Sequence, residues 1–215
     1  MNRISKLAAG ITLATTALVS TSALADVSYS VGWASEYYYR GILQKDSSAN
    51  AGIEFGEGGF TLGAWTADVG DGAEVDLYGS YTFEFDGGFS ASIGATGYYY
   101  TGEFDDTYEE INLGLGYGMF SLGYSKGSYD GFGADADYDF LSLTIEAENG
   151  LYGTYGTFGD EFDGDYLELG YGFSVSEIDF SIAAIFNSDE LSDQASSSGS
   201  PTEGEAVIFT ISKSF

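Results

Sequence analysis

Three features of the sequence predict an all-β fold, a transmembrane up-and-down antiparallel β-barrel of about twelve strands. The chain opens on an export-like segment and closes on an amphipathic strand ending in Phe215. Between these ends, apolar and polar residues alternate with a period of two, as in strands with one apolar face. Short Gly-rich joins alternate with longer polar ones, the rhythm of periplasmic turns and extracellular loops. A soluble sandwich would show the same alternation along each strand. Within lipid, however, the closed barrel is the only sheet that satisfies every backbone N–H and C=O.

The first element is the export segment. Asn2, Arg3 and Lys6 form a short polar and basic start, Leu7 to Val19 an apolar run, and Ala23-Leu24-Ala25 an A-x-A cleavage site. The run is shorter than the ~20 residues a membrane-spanning helix needs. Residues 1–25 are therefore expected to be a signal peptide, and 26–215 a single barrel domain.

The strands follow near 27–38, 48–56, 59–68, 73–85, 88–100, 107–118, 119–127, 137–148, 150–158, 164–174, 177–187 and 205–215. In the fourth, Val75, Leu77, Tyr81, Phe83 and Phe85 share one parity, and Asp76, Tyr78, Ser80, Thr82 and Glu84 the other. The sixth sets Ile111, Leu113, Leu115 and Tyr117 against Glu110, Asn112, Gly114 and Gly116. The tenth sets Leu167, Leu169, Tyr171 and Phe173 against Glu168, Gly170, Gly172 and Ser174. Tight joins are read at Gly56-Glu57-Gly58, Asp86-Gly87, Gly118-Met119, Asn149-Gly150 and Ser174-Val175-Ser176. Longer ones are read at 41–47, 69–72, 101–106, 127–136, 159–163 and 187–204. An even number of strands places both termini on the periplasmic side.

Charge narrows the function. The sequence holds 6 Lys+Arg against 34 Asp+Glu. Without Arg3 and Lys6 the balance is about −30, which excludes nucleic acid as a partner because no basic patch can release counterions. There is no Cys and no His, so neither a disulfide nor a histidine-based hydrolase is possible. Carboxylate-pair chemistry would remain, but no pair stands out among the acids, so no enzyme is expected and no catalytic residue is assigned. Loop acids such as Glu103, Asp105 and Asp106 suit solvated extracellular loops. They could also suit Ca²⁺ or Mg²⁺, but nothing matches a known spacing, and no metal residue or cofactor is assigned.

Aromatic residues cluster at the predicted strand ends. Tyr37, Tyr38, Tyr39, Tyr98, Tyr99 and Tyr100 lie near the outer ends, and Phe89, Tyr117, Phe120, Phe173 and Phe215 near the inner ends. Such positions fit the girdles of a membrane barrel. Carbohydrate platforms are the rival reading, and one ring of each triplet would then line the lumen.

The block Ser35-Glu36-Tyr37-Tyr38-Tyr39-Arg40-Gly41-Ile42, followed by Gly63-Ala64-Trp65 and Glu74-Val75-Asp76-Leu77-Tyr78-Gly79, resembles a proteobacterial family of exported porins described as TorF-type or Gcw_chp. Leu43 departs from the small polar residue expected after the first block. The resemblance covers the whole mature chain and implies a barrel and a pore without naming a solute.

If the apolar parity faces lipid, Glu36, Glu54, Asp76, Glu84, Glu110, Glu146, Glu168 and Asp179 face the lumen. A charge at the bilayer midplane costs up to ~2–4 kcal/mol, with acids at the lower end. Gly32, Gly52, Gly63, Gly94, Gly114, Gly116, Gly123, Gly170 and Gly172 share that inner face and leave room for water. Arg40 is expected to form an ion pair with Glu36 or Asp76 near the outer mouth, or to contact a substrate. Together these are the candidate pore-lining residues.

The expected function is an outer-membrane porin that favours cations and passes small solutes. The alternative is a plugged barrel acting as a structural or surface-interaction protein through its acidic loops. Expected partners are outer-membrane lipid and lipopolysaccharide, and the barrel-assembly machinery through the strand ending at Phe215.

Overall fold

The computed structural model describes residues 26–131, 135–192 and 201–215. The export segment and the Ser196–Ser200 tract lie outside them. Twelve strands form one closed antiparallel barrel. They are β1 (Asp26–Tyr39), β2 (Ile42–Glu57), β3 (Phe60–Gly70), β4 (Gly72–Phe85), β5 (Phe89–Thr101), β6 (Thr107–Tyr117), β7 (Phe120–Asp130), β8 (Ala136–Glu146), β9 (Leu151–Asp160), β10 (Asp165–Val175), β11 (Ile178–Asn187) and β12 (Glu205–Ser214). A four-residue helix, α1 (Asp189–Ser192), sits between β11 and β12. No helix among the described residues is long and apolar enough to cross a membrane, which says nothing against strands doing so.

Each strand pairs with its sequence neighbour, and β1 with β12 closes the ring. The last residue completes that seam. Phe215 N–H donates to Tyr29 C=O at 2.9 Å, and Tyr29 N–H donates to Phe215 C=O at 3.3 Å. Closure removes the free edges along the paired stretch, which is what lets a sheet sit in hydrocarbon.

The side-chain partition follows the expected parity. Ile111 is 57% exposed while its neighbour Glu110 is 3% exposed. Leu113, Leu115, Leu141, Leu143, Ile145, Leu167 and Leu169 all stand on the outside. In water such an apolar face would be unstable; around a closed barrel it is the lipid-facing belt. Phe89, Tyr117, Phe120, Phe173 and Phe215 ring its lower end, as the sequence predicts.

The tight joins fall at one end, the turn end, as Gly58 and Gly59, 86–88, Gly118 and Met119, 147–150, and Ser176 and Glu177. Two of the joins expected to be long are short. Between β3 and β4 only Asp71 intervenes, and between β1 and β2 only Arg40 and Gly41. Arg40 has φ 48° and Gly41 φ 87°, so both central residues are left-handed, as a two-residue type I′ hairpin requires. The polar run 44–47, read as a loop, is strand.

The outer tyrosine triplets depart from a simple girdle. Tyr99 faces outward, but Tyr37, Tyr38 and Tyr98 are buried inside. The reason is the β1–β2 hairpin. Pairing of β1 with β12 stops at Ala34↔Thr210, and pairing of β2 with β3 stops at Asn50↔Ala67. Beyond those levels β12 and β3 continue, and the hairpin leaves the wall. Side chains stitch its shoulders: Phe209 N–H donates to Ser35 Oγ at 2.8 Å, and Ser48 Oγ–H donates to Asp68 C=O at 2.7 Å.

Candidate functional site

The tip of the β1–β2 hairpin lies across the lumen at the loop end. The register steps from Tyr37↔Lys45 to Tyr38↔Leu43, which makes Gln44 the extra residue of a bulge. Such a bulge bends a strand, and here the bent segment enters the barrel. Tyr37 OH donates to Glu74 Oε1 on β4 at 2.8 Å, and the Tyr39 ring meets Tyr98 on β5 at 5.4 Å. Gly41 packs where a Cβ would stand 2.7 Å from Leu191 of α1 and 3.1 Å from Tyr166 of β10. Leu43 N–H donates to Thr202 Oγ1 at 3.1 Å. A buried cluster of Tyr38, Leu43, Tyr138, Phe140, Phe158, Tyr166, Ile185 and Leu191 fills this level.

Arg40, at the very tip, reaches the far wall. Its Nη1 and Nη2 donate to Glu110 Oε1 and Oε2 at 2.5 and 2.9 Å, and Nη2 to Ser125 Oγ at 3.2 Å. The guanidinium lies 4.3 Å from the centre of the Phe140 ring. The partner is thus Glu110 on β6, neither Glu36 nor Asp76: the inward fold carries Arg40 past both of them. Glu110 accepts further hydrogen bonds from Tyr138 OH at 2.7 Å, Asn112 Nδ2 at 2.9 Å and Tyr98 OH at 3.2 Å. A buried charge pair survives desolvation when the geometry is bidentate and the remaining lone pairs are satisfied, and both conditions hold here.

The other sequence-predicted acids differ in depth and in partners. Glu54 and Glu168 are lumenal and tethered, accepting from Tyr78 OH at 3.1 Å and Tyr152 OH at 2.6 Å. Glu36 and Glu168 border a cavity of about 20 Å³ with Tyr38, Ser181 and Thr210, room for one water. Asp76 is fully buried and lies against the carboxyl of Glu74. Glu84 and Glu146 are solvent-exposed at the turn-end rim, and Asp179 accepts from Ser174 Oγ–H there at 2.5 Å. Sequence reading missed Glu74, buried beside Asp76 on the same inner parity. Its even number was the available signal.

The inward glycines correct a second expectation. At several of them a ring from the adjacent strand occupies the space. A Cβ on Gly63 would stand 2.3 Å from the Tyr78 ring, and one on Gly170 2.2 Å from Tyr152. In register, Glu54, Gly63 and Tyr78 form one rung across three strands, and Glu110, Gly127 and Tyr138 form another. The tyrosine reaches over the glycine to the carboxylate beyond. Gly114, Gly116 and Gly123 instead meet only serines, Ser92, Ser90 and Ser142, and Gly94 meets Ser80 and the Gly79 carbonyl oxygen. The loop-end half of the lumen is therefore filled by rings, and the turn-end half holds small polar side chains together with the Tyr152 ring.

A family described as "Bacterial protein of unknown function (Gcw_chp)" matches residues 19–214. No curated protein matches the chain. Among solved structures, a chain reported under "Unveiling the Mechanism Behind the in-meso Crystallization of Membrane Proteins" shares the fold, with TM-score 0.56, 10% identity, and 88% of this chain and 83% of that one covered. The outer membrane protein OprD from Pseudomonas aeruginosa gives TM-score 0.40 at 13% identity, covering 79% of this chain and 59% of that one. OmpT, an outer membrane protein of Vibrio cholerae, gives TM-score 0.37 at 12% identity, covering 89% and 96%. The chain thus spans under two thirds of the length of OprD.

Proposed function

This chain belongs to the Gcw_chp family of bacterial proteins, and from that premise we propose that it is a narrow, acid-lined outer-membrane channel of the porin type that favours cations. The observation that carries the reading is the lumen itself: a closed barrel with an apolar exterior holds Glu36, Glu54, Glu74, Asp76, Glu110 and Glu168 inside, with Arg40 as the lone cation on the inward tip. Rings of carboxylates select cations in channels. Glu36 and Glu54, the inward acids that are only partly buried, are best placed to act on a passing cation. With neither His nor Cys in the chain, the reading is a channel and not an enzyme.

The proposal includes export through residues 1–25. It also includes insertion by the barrel-assembly machinery through β12 and Phe215, and an outer face against lipid and lipopolysaccharide. The test is conductance and reversal potential of the refolded protein in planar bilayers under a KCl gradient. Cation preference is expected, reduced in Glu54→Gln and shifted further toward anions in Glu110→Gln, which leaves the Arg40 charge bare. An anion preference at low salt overturns it.

A second reading is favoured by the packed loop end: a sealed barrel serving as a structural or surface protein. Absence of conductance in the parent, with conductance appearing once the hairpin tip is cut back, selects that reading.

A further inference from the structure

Above the hairpin tip the loop end holds a cavity of about 230 Å³. An engineered cavity of about 150 Å³ takes benzene, so this one has room for a small organic molecule. Tyr100, Phe104, Tyr108, Tyr138 and Phe162 line it, and Asp105 stands among them. Two of its ring pairs are stacked across strand and loop, Tyr100 on Phe104 at 5.3 Å and Tyr138 on Phe162 at 4.8 Å. These pairs give the walls fixed positions.

Asp105 is held but not neutralised. Its Oδ2 accepts from Tyr108 OH at 2.9 Å, and its Oδ1 from Tyr129 OH and the Asp106 N–H, each at 2.8 Å. All of these donors are uncharged. The four basic side chains of residues 26–215 are each engaged elsewhere, Arg40 with Glu110, Lys45 with Asp68, Lys126 with Asp160 and Lys213 with Glu177. Arg40 also lines the cavity, but its charge is matched by the bidentate Glu110.

We propose that this cavity binds an organic ammonium ion, with the ring faces and Asp105 as its recognition groups. Cations bind over aromatic faces, more strongly where water is excluded. The same mouth already holds one in that way, the Arg40 guanidinium at 4.3 Å from Phe140 and 4.9 Å from Tyr39. A sugar fits less well. Sugars need free donors and acceptors beside the ring, and the hydroxyls of Tyr98, Tyr108 and Tyr138 are already committed to Glu110 and Asp105. Beside the Gln44 amide, what the lining offers is aromatic surface and the Asp105 carboxylate, which no basic side chain pairs.

Binding does not require conduction, so it is measured on the refolded full chain in detergent micelles at fixed ionic strength, by saturation-transfer NMR and calorimetry. The probes are choline, its neutral isostere 3,3-dimethyl-1-butanol, and glucose. Choline is expected to bind about tenfold tighter than the isostere. That preference should vanish in Asp105→Asn and persist in Asp106→Asn, whose carboxylate accepts Thr107 N–H outside the cavity. Phe162→Leu should weaken choline binding with the barrel intact, as judged by its heat-dependent gel mobility. The proposal is overturned if choline does not saturate, if the isostere or glucose binds as tightly, or if Asp105→Asn binds choline like the parent.

Discussion

Arg40 is held by a network that no single neighbour could provide. Its guanidinium meets both oxygens of Glu110, Ser125 and the Phe140 face, and Glu110 in turn is satisfied by Tyr98, Tyr138 and Asn112. Removing one member strands the other as an uncompensated buried charge. Arg40→Ala and Glu110→Gln are each expected to cost about 3–5 kcal/mol, read from unfolding in detergent. Arg40→Met with Glu110→Leu should cost less than either, because it strands no charge. Tyr138→Phe should cost about 1 kcal/mol, the loss of one hydrogen bond to a network that keeps its others. The sequence makes Arg40 conspicuous as a cation on an inward strand. Its partner is not legible there, since Glu110 lies 70 positions away and is brought close only by the inward fold.

At the scale of elements, the β1–β2 hairpin and the glycine rungs divide the lumen. Gly41 needs its left-handed φ of 87° and has no room for a Cβ against Leu191 and Tyr166. Gly41→Val is therefore expected to expel the tip and raise single-channel conductance severalfold in planar bilayers. Leu191→Ala, which removes a fully buried side chain above the tip, should destabilise the loop end by about 2–5 kcal/mol and raise conductance less. On the rungs, Gly63→Ala would drive a methyl into the Tyr78 ring, at a cost of about 1–3 kcal/mol. Tyr78→Ala in the same chain should remove most of that cost, and a double-mutant cycle in detergent unfolding measures the coupling. Strand parity was readable at these positions. That a tyrosine on the next strand would fill the glycine's gap was not, because the register between strands selects which ring meets which glycine.

For the whole molecule, two fields dominate: the apolar belt outside and the acid excess within and around the lumen. With all four cations of residues 26–215 ion-paired, the remaining acids set the sign of the potential. Raising KCl should therefore weaken cation selectivity, since screening shortens the reach of exposed charges. The belt makes a separate prediction. Leu113→Arg, on the lipid face, should lower bilayer folding stability by about 2–4 kcal/mol if it sits near the midplane. Ser92→Arg, on the inner face, should leave stability near that of the parent and shift the reversal potential.

Alternation and turn chemistry determined by themselves that this sequence makes a membrane barrel of about twelve strands with its apolar parity outside. Each of those signals is local, carried by residues one or two positions apart. The tertiary structure alone decided that the Tyr-rich hairpin leaves the wall, that Arg40 pairs with Glu110, and that the rings of Tyr78 and Tyr152 fill the space at Gly63 and Gly170. Those outcomes depend on which distant strands face each other across the lumen, and a period of two contains no information about distance through the barrel.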